Sequence, residues 1–312
     1  MPPKIIVITG PTATGKTALG VALAKQYNGE VVSADSMQLY RGMDIGTAKV
    51  SRDEAQGVRH HMIDVADPGE KFSAARYVEE AAACCDDILA RGKTPLVVGG
   101  TGLYIDSLVS GRDFADNEPG ELRARLNALY DQRGGDAMLE TLRGFDPDRA
   151  GRLAPGDKRR IVRAIEVYTL TGVTITRHDE QTKALPPRYD AAMIALDFEN
   201  RQDLYDRIDL RVDKMISGGL FDEVRRLMAS GLSDDSTAFQ AIGYKEAAAA
   251  IRGETTLTAA ADLIKQESRR YAKRQLTWLR RNDAVFWIRW GKSPDIELGR
   301  QLSTEFLRSR GL

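Results

Sequence analysis

The chain has 312 residues, of which 42% are hydrophobic and 29% charged, and its 45 basic and 45 acidic residues leave no formal net charge. This length suits one large or two moderate globular domains, and the neutral total excludes overall basicity as a sign of nucleic-acid binding, although a local basic patch stays compatible with it. The longest apolar runs are far below the roughly 20 residues of a membrane span. Residues 1–4 lead into a predicted strand rather than a signal peptide, so we expect a cytoplasmic protein without a membrane segment.

Residues 4–9 form an apolar, β-branched run that leads into the sequence GPTATGKT. A GxxxxGKT pattern between a strand and a helical stretch is typical of a phosphate-binding loop, because its successive N–H groups point at an anion at the start of the helix. The lysine adds a positive charge, and the hydroxyl of the last threonine is placed to bind Mg²⁺. The predicted phosphate-binding residues are Gly10, Pro11, Thr12, Ala13, Thr14, Gly15, Lys16 and Thr17, with Thr17 as the predicted metal ligand.

Two more strand candidates follow in the first third of the chain. Residues 30–33 lead into Asp35, and residues 94–98 lead into a GGTG turn that contains Thr101. A helix is predicted between them from about Ser73 to Arg91. This alternation predicts an α/β fold with a P-loop and a doubly wound parallel sheet, in which ligands bind beyond the carboxyl ends of the strands. The three loops are therefore expected to meet in one crevice.

The character of the sequence changes after the third strand candidate. Residues 113–190 are charged and rich in helix signals and in Gly and Pro breaks, which predicts an inserted all-helical domain. A strand-like stretch at 192–198 then returns to the sheet. The predicted domains are thus a core formed by residues 1–112 and 191–312, interrupted by the insertion at 113–190.

Asp35 is the most informative acidic residue. A carboxylate across a crevice from a P-loop fits a general base, a metal ligand or a helix cap. The third strand candidate ends in GGTG and lacks the aspartate that holds Mg²⁺ in P-loop ATPases, which argues against a motor or switch ATPase. A small-molecule kinase remains compatible with this pattern.

Basic residues cluster in two runs despite the neutral total. Residues 143–163 contain seven basic and three acidic residues, and residues 265–281 contain seven basic and one acidic residue. One such run is usually a solvated helix face, but two runs beside a phosphate crevice favour a polyanionic partner. Tyr271 and Trp278 lie within the second run, either as core anchors or as platforms for base stacking.

Two further residue pairs fit structural roles. Cys84 and Cys85 are adjacent and have helical spacing to apolar neighbours, which predicts core positions. His60 and His61 point to opposite faces of an extended chain, and no third ligand is spaced to complete a zinc site, so local structure is the favoured interpretation.

The motifs together resemble those of the tRNA dimethylallyltransferases, also called tRNA isopentenyltransferases, and the resemblance covers nearly the whole chain. The matching stretches are GPTATGKT at 10–17, SADSMQLY at 33–40, MDIGTAK at 43–49, HHMID at 60–64, GGTGLY at 99–104, DKRRIVRAIEV at 157–167, QAIGYK at 240–245 and KRQLTW at 273–278.

The resemblance implies a reaction. A dimethylallyl group would pass from dimethylallyl diphosphate to the exocyclic amine of the adenosine 3′ to the anticodon, in tRNAs that read U-initial codons. Asp35 would be the general base, Thr17 and Mg²⁺ would bind the diphosphate, and an arginine matching Arg211 would stabilise the leaving group, with Arg207 one turn earlier as the competing choice. A monomer is expected.

The resemblance also implies which residues contact the anticodon stem-loop of tRNA. They are Asp35, Ser36, Met37, Gln38, Thr101, Arg123, Arg159, Arg160, Ile161, Val162, Arg163, Gln240, Ala241, Ile242, Gly243, Tyr244 and Lys245. Two alternatives stay open from the residues. An adenylate prenyltransferase would not need the basic insertion, and a small-molecule P-loop kinase would need a lid arginine set and could bind ATP at the loop.

Overall fold

A computed structural model of the chain describes residues 2–112 and 120–312. The chain divides into two compact units, one comprising Met1–Val109 with Arg188–Leu312 and the other comprising Ser110–Pro187. The first unit is therefore discontinuous in sequence. None of the helices in the described ranges is long and apolar enough to cross a membrane.

The first unit is built on a parallel sheet. Within the described residues its strands are β1 Lys4–Thr9, β2 Gly29–Ser33, β3 His60–His61, β4 Thr94–Val98, β5 Asp190–Phe198 and β6 Phe286–Trp290. Their order across the sheet is β3-β2-β4-β1-β5-β6, and every pairing is parallel. The α/β fold class with a P-loop-type sheet is confirmed. β3 and β6, at the two edges, were not expected from the sequence.

Some of the helices in the described residues connect these strands, and others make up the second unit. They are α1 Lys16–Gln26, α2 Arg52–Ala55, α3 Ala74–Ala90, α4 Gly102–Ser110, α5 Glu121–Arg133, α6 Gly135–Arg143, α7 Pro147–Ala150, α8 Lys158–Thr171, α9 Ile175–Ala184, α10 Arg201–Ser217, α11 Leu220–Ala229, α12 Tyr244–Ile251, α13 Leu257–Leu279 and α14 Ile296–Ser309.

The core of the first unit explains why its strands read as unbroken apolar runs. Residues 5–8 of β1 are fully buried, because the central strand of a parallel sheet is covered on both faces. Leu19 and Leu23 of α1 and Leu276 of α13 belong to the same core cluster as β1. The sheet therefore fixes α1 and α13 close to the carboxyl ends of the strands, where the predicted site lies.

The second unit contains helices α5 to α9 and has a separate core. Leu126, Met138 and Leu142 pack there with Ile161, Val162 and Ile165 of α8. Helices account for all of its regular structure in the ranges 110–112 and 120–187. Residues 113–119 of the predicted insertion lie outside the described residues.

The paired histidines and cysteines make mostly structural contacts. His61 Nε2 lies 2.8 Å from Glu30, and His60 Nδ1 lies 2.9 Å from the carbonyl oxygen of Val58. Cys85 is buried, and burial raises the pKa of its thiol to about 12, whereas Cys84 is partly exposed. The predicted core position therefore holds fully for Cys85 only.

Candidate active site

The P-loop begins with a glycine that no other residue can replace without moving the sheet. Gly10 has φ of 137°, and a Cβ there would lie 2.4 Å from the carbonyl oxygen of Leu196 in β5. Gly15, with φ of 87°, occupies the N-cap of α1 in the left-handed region. Trp290 Nε1 donates to the carbonyl of Thr14 at 2.9 Å. The loop is thus in contact with both β5 and β6, the two strands that follow β1 across the sheet.

The start of α1 presents free donors. Within the described residues, the N–H groups of Gly15, Lys16 and Thr17 have no hydrogen-bond acceptor. The first N–H groups of a helix lack intrahelical partners, and the helix dipole adds partial positive charge at the same point. Thr17 is also exposed, so its hydroxyl is accessible beside these donors. This arrangement suits an anion with several oxygens.

Three cations surround these donors, and in residues 2–112 and 120–312 none of them has a carboxylate partner within 4 Å. Each donates to a main-chain carbonyl instead: Lys16 Nζ to Pro11 at 2.7 Å, Arg207 Nε to Ala13 at 3.4 Å and an Arg211 terminal nitrogen to Thr47 at 3.4 Å. The Nε atom of Arg211 is buried without any hydrogen-bond partner in the same residues. Unpaired cations in a crevice leave their charge available to an anionic ligand.

Electrostatic interactions indicate that Lys16 and Arg211 lie in the same crevice as Asp35. Burial and, to a smaller extent, the charge of Arg211 lower the pKa of Lys16 to about 7, with the charge of Asp35 opposing both effects. Burial also lowers the pKa of Arg211, and Asp35 again opposes the effect. Asp35 is therefore a counter-charge that acts on both cations, although it forms no direct ion pair with either of them.

Asp35 is half-buried and uses only one of its carboxylate oxygens within the protein. Oδ1 accepts from the N–H of Met37 at 2.9 Å and from the N–H of Gln38 at 3.4 Å, so it caps the turn that follows β2. The second oxygen has no hydrogen-bond partner among the described residues. The capping role and a chemical role are therefore compatible, because they use different oxygens.

The GGTG turn after β4 packs directly on the segment that contains Asp35. Thr101 Oγ1 accepts from the N–H of Ser36 at 3.1 Å, and the N–H of Thr101 donates to the carbonyl of Ala34 at 3.0 Å. A Cβ at Gly99 would lie 2.2 Å from that same carbonyl oxygen. The structure thus brings together the P-loop, the Asp35 segment and the GGTG turn.

Gln275 of α13 links two of these loops and was missed from the sequence. Its Oε1 accepts from the N–H of Thr12 at 3.0 Å, and its Nε2 donates to the carbonyl of Gly100 at 3.0 Å. The signal was its position in the buried stripe formed with Ala272, Leu276 and Leu279, where a polar side chain needs partners.

Tyr271 lies one turn before Gln275 and faces the same crevice. Burial and the nearby charge of Asp35 raise the pKa of its hydroxyl to about 12, and a hydrogen bond with Thr101 opposes the shift. Trp278 Nε1 donates to Asp106 at 2.7 Å, and a Cβ at Gly102 would lie 2.3 Å from its ring. Both aromatic residues therefore have structural contacts around the GGTG turn.

The second basic run carries less free charge than its composition suggests. Lys265 pairs with Asp213 at 2.6 Å and Arg269 pairs with Asp209, so both tie α13 to α10. Lys273 and Arg274 have no carboxylate partner within the described ranges and are exposed. The free positive charge is therefore concentrated in the second half of α13.

In the second unit, a buried carboxylate organises two of the predicted tRNA-contacting arginines. Glu166, 1% exposed, accepts a bidentate pair of hydrogen bonds from Arg123 and one at 2.8 Å from Arg163. Arg159 and Arg160 are exposed, whereas Ile161 and Val162 are buried in the core. Contacts with a partner through this segment would therefore use its arginines.

The predicted contact segment at 240–245 alternates between exposed and buried residues. Gln240 and Lys245 are exposed, Ile242 is partly exposed, and Ala241, Gly243 and Tyr244 are buried. The buried members hold the segment in place and the exposed ones face solvent.

Comparison with known proteins identifies the family. The model of the family described as IPP transferase matches residues 38–282, and the model described as isopentenyl transferase matches residues 3–71. The tRNA dimethylallyltransferase of Caldanaerobacter subterraneus subsp. tengcongensis is 47% identical over 287 residues, with 91% of each chain covered, and that of Carboxydothermus hydrogenoformans is 44% identical over 306 residues, with 98% of each covered. The chain belongs to the tRNA dimethylallyltransferase family. It is therefore a prenyltransferase, as the resemblance implied.

Solved structures agree with this family membership. The full-length tRNA isopentenylpyrophosphate transferase from Bacillus halodurans is 41% identical, with a TM-score of 0.73 and coverage of 99% of this chain and 98% of that one. A eukaryotic dimethylallyltransferase crystallised while acting on tRNA is 27% identical, with a TM-score of 0.82 and coverage of 98% and 80%. The family fold thus extends over the whole described chain.

Proposed function

We propose that the chain transfers a dimethylallyl group from dimethylallyl diphosphate to the exocyclic amine of the adenosine 3′ to the anticodon, in tRNAs that read U-initial codons, and releases diphosphate. The observation that carries the proposal is the set of unpaired cations, Lys16, Arg207 and Arg211, around the free N–H groups of α1. A diphosphate leaving group has the charge and the number of oxygens that these donors require. The transfer of a prenyl group is inferred from membership of the tRNA dimethylallyltransferase family.

The acceptor amine is a weak nucleophile because its lone pair is delocalised into the adenine ring. Asp35 is proposed as the general base that takes a proton from the amine as the carbon–nitrogen bond forms and the carbon–oxygen bond to diphosphate breaks. Its unused oxygen is available for this proton, while the other oxygen keeps the turn at Met37 and Gln38 in place. Such assistance is typically worth about 10²- to 10⁴-fold.

The residues at the start of α1 fit a magnesium ion that accompanies the diphosphate. The Thr17 hydroxyl is exposed next to the free N–H groups, and oxygen donors are the ligands that Mg²⁺ prefers. When bound, the ion would supply Lewis-acid stabilisation to the leaving group. Thr17 is proposed as its protein ligand, and Lys16 and Arg211 neutralise the remaining phosphate charge.

The exposed basic residues are proposed to hold the tRNA. Arg159 and Arg160 of α8, and Lys273 and Arg274 of α13, are exposed, and none of them except Arg160 has a carboxylate partner in the part of the chain described. Each phosphate that they neutralise would add salt-sensitive affinity. An adenosine in an anticodon loop leaves its stack at lower cost than one in a duplex, which suits a crevice of this kind.

The decisive experiment incubates the pure protein with labelled dimethylallyl diphosphate and Mg²⁺ in three separate reactions. These contain a tRNA that reads U-initial codons, a tRNA that reads other codons, and AMP. Label in the first tRNA alone is the expected result. Label in AMP but not in tRNA would support the adenylate prenyltransferase, and turnover of ATP without prenyl transfer would support the kinase. Equal labelling of both tRNAs would contradict the proposed codon preference.

Arg207 and Arg211 of α10 should differ in their effect on the reaction. Arg211→Gln is expected to lower kcat about 10- to 100-fold, because Arg211 acts electrostatically on Lys16 and Asp35 at the centre of the crevice. Arg207→Gln is the matched control with a smaller expected loss, since the hydrogen bond that Arg207 makes among the described residues is to the loop carbonyl of Ala13. Single-turnover rates at saturating substrates measure both. A larger loss from Arg207→Gln would reverse the assignment.

A further inference from the structure

Glu223 of α11 is a buried acid that the mechanism above does not use. It is 1% exposed and has no basic partner within the described residues. It accepts four hydrogen bonds, from the N–H groups of Asp44 at 2.9 Å, Ile45 at 2.8 Å and Gly46 at 3.0 Å, and from the hydroxyl of Tyr244 at 2.6 Å. A buried carboxylate balanced only by neutral donors is costly unless all of those bonds form together. Its position therefore specifies the geometry of the chain around it.

The loop that Glu223 holds reaches the crevice from its other side. The carbonyl of Thr47 accepts from Arg211 at 3.4 Å and from Gln38 Nε2 at 3.3 Å, and the carbonyl of Ala48 accepts from the same amide at 3.3 Å. Arg211 faces the proposed diphosphate site, and Gln38 follows Asp35 in the same turn. A shift of residues 44–48 would therefore move the contacts of both side chains.

Tyr244 connects the same carboxylate to a second segment. Its ring lies against Gly46 so closely that a Cβ at Gly46 would lie 2.5 Å from a ring atom. Tyr244 itself starts α12 and belongs to residues 240–245, the segment proposed to contact tRNA. One buried acid thus fixes both the loop beside Arg211 and the segment beside the proposed tRNA contacts.

We propose that Glu223 and Tyr244 are positioning residues that hold residues 44–48, and through the Thr47 carbonyl orient Arg211 for the departing diphosphate. This inference rests on the proposed function, because it assigns Arg211 to that diphosphate. Both side chains are buried, so in this proposal neither one touches the diphosphate. Their effect on the reaction passes through the main chain of the loop.

Two substitutions test this positioning role, one with a small and one with a larger expected effect on the loop. Tyr244→Phe removes one hydrogen bond and keeps the ring packed on Gly46, and it should lower kcat about 10-fold. Glu223→Gln keeps the side-chain shape but turns an amide NH₂ towards N–H and O–H donors, and it should lower kcat about 100-fold, since small misplacements in an active site have effects of this size. Both variants should bind inorganic pyrophosphate more weakly, and amide exchange at residues 44–46 should become faster in Glu223→Gln while exchange in β1 stays unchanged.

Tyr189→Phe is the matched control. Tyr189 is buried in the same unit, and its hydroxyl also donates to a carboxylate, Asp86 at 2.7 Å, but that pair makes no contact with the loop. The control should lower the Tm and leave kcat and pyrophosphate affinity unchanged at a temperature where every variant is folded by circular dichroism.

Two outcomes would overturn the proposal. One is wild-type kcat and pyrophosphate affinity in both Tyr244→Phe and Glu223→Gln, with only the Tm reduced, because a purely structural role predicts that pattern. The other is an equal loss of activity in Tyr189→Phe. Failure of the proposed function is recognised separately, because the wild-type protein would then label no tRNA, while pyrophosphate binding and amide exchange would still report on the loop.

Discussion

Asp35→Asn is expected to lower kcat for prenyl transfer by about 10²- to 10⁴-fold and to leave tRNA binding measurable. Asparagine retains an oxygen that can accept from the N–H groups of Met37 and Gln38, so the turn after β2 should persist. What it loses is the carboxylate whose second oxygen is free to take the proton of the amine. The measurement is a single-turnover rate with saturating dimethylallyl diphosphate, together with a tRNA binding titration.

A capping carboxylate elsewhere provides the control for this substitution. Asp295 Oδ1 accepts from the N–H of Leu298 at 2.9 Å and caps α14, so Asp295→Asn changes a comparable cap without a crevice carboxylate. It should keep the wild-type rate. A turnover of Asp35→Asn near that of the wild type would remove Asp35 as the base, and a loss of tRNA binding in proportion to the rate would make it a binding residue instead.

The central part of the fold could be predicted because its elements are encoded locally. The strands at 4–9, 29–33 and 94–98 are apolar, β-branched runs with clear ends, and a P-loop specifies the connection between a strand and a helix. The outer strands were harder to predict from the sequence. β3 has two residues, and β6 is a mixed aromatic and charged run at a sheet edge, where period and hydrophobicity carry little information.

Partners that are distant in sequence set the limit for the charged residues. A count within residues 265–281 finds one acid, but Asp209 and Asp213 of α10 neutralise two of the basic residues. Likewise, Glu166 pairs with Arg163 within α8, but Arg123 reaches the same carboxylate only after α5 packs on α8. Helix periodicity predicts which residues share a face and does not predict which face will lie opposite.

Gln275 and Glu223 show the same limit for polar residues that hold loops. Each lies on an amphipathic helix at a position whose neighbours are buried, which the pattern could have revealed. Apart from the Tyr244 hydroxyl, their partners are main-chain groups of loops far away in sequence, and every residue type carries the same main-chain carbonyl. Local motifs could therefore predict which loops meet at the candidate site, and they could not predict the contacts that fix the geometry of those loops.

Lys16→Met is expected to lower kcat/KM by about 10²- to 10³-fold, because it removes a preorganised charge beside the leaving diphosphate.

The titration of Lys16 adds a distinctive pH dependence. With a pKa of about 7, the free protein loses this charge as the pH rises through neutrality. Affinity for inorganic pyrophosphate should therefore fall between pH 6 and pH 9 in the wild-type protein. Lys16→Arg, which stays charged, and Lys16→Met, which never is, should show only the change due to pyrophosphate itself.

The same substitution should stabilise the ligand-free protein by an amount that depends on pH. The pKa of Lys16 falls from its ordinary value of 10.5 to about 7 in the folded chain, so the unfolded chain binds more protons between these pH values and stability rises with pH there. The cost of burying the ammonium group is complete below pH 7 and declines towards pH 10. Lys16→Met removes this cost, so its Tm should exceed that of the wild type at pH 6, and the difference should narrow at pH 9. Equal Tm values of the wild type and Lys16→Met at pH 6 would contradict this prediction. They would show that burial of the Lys16 charge does not destabilise the ligand-free protein.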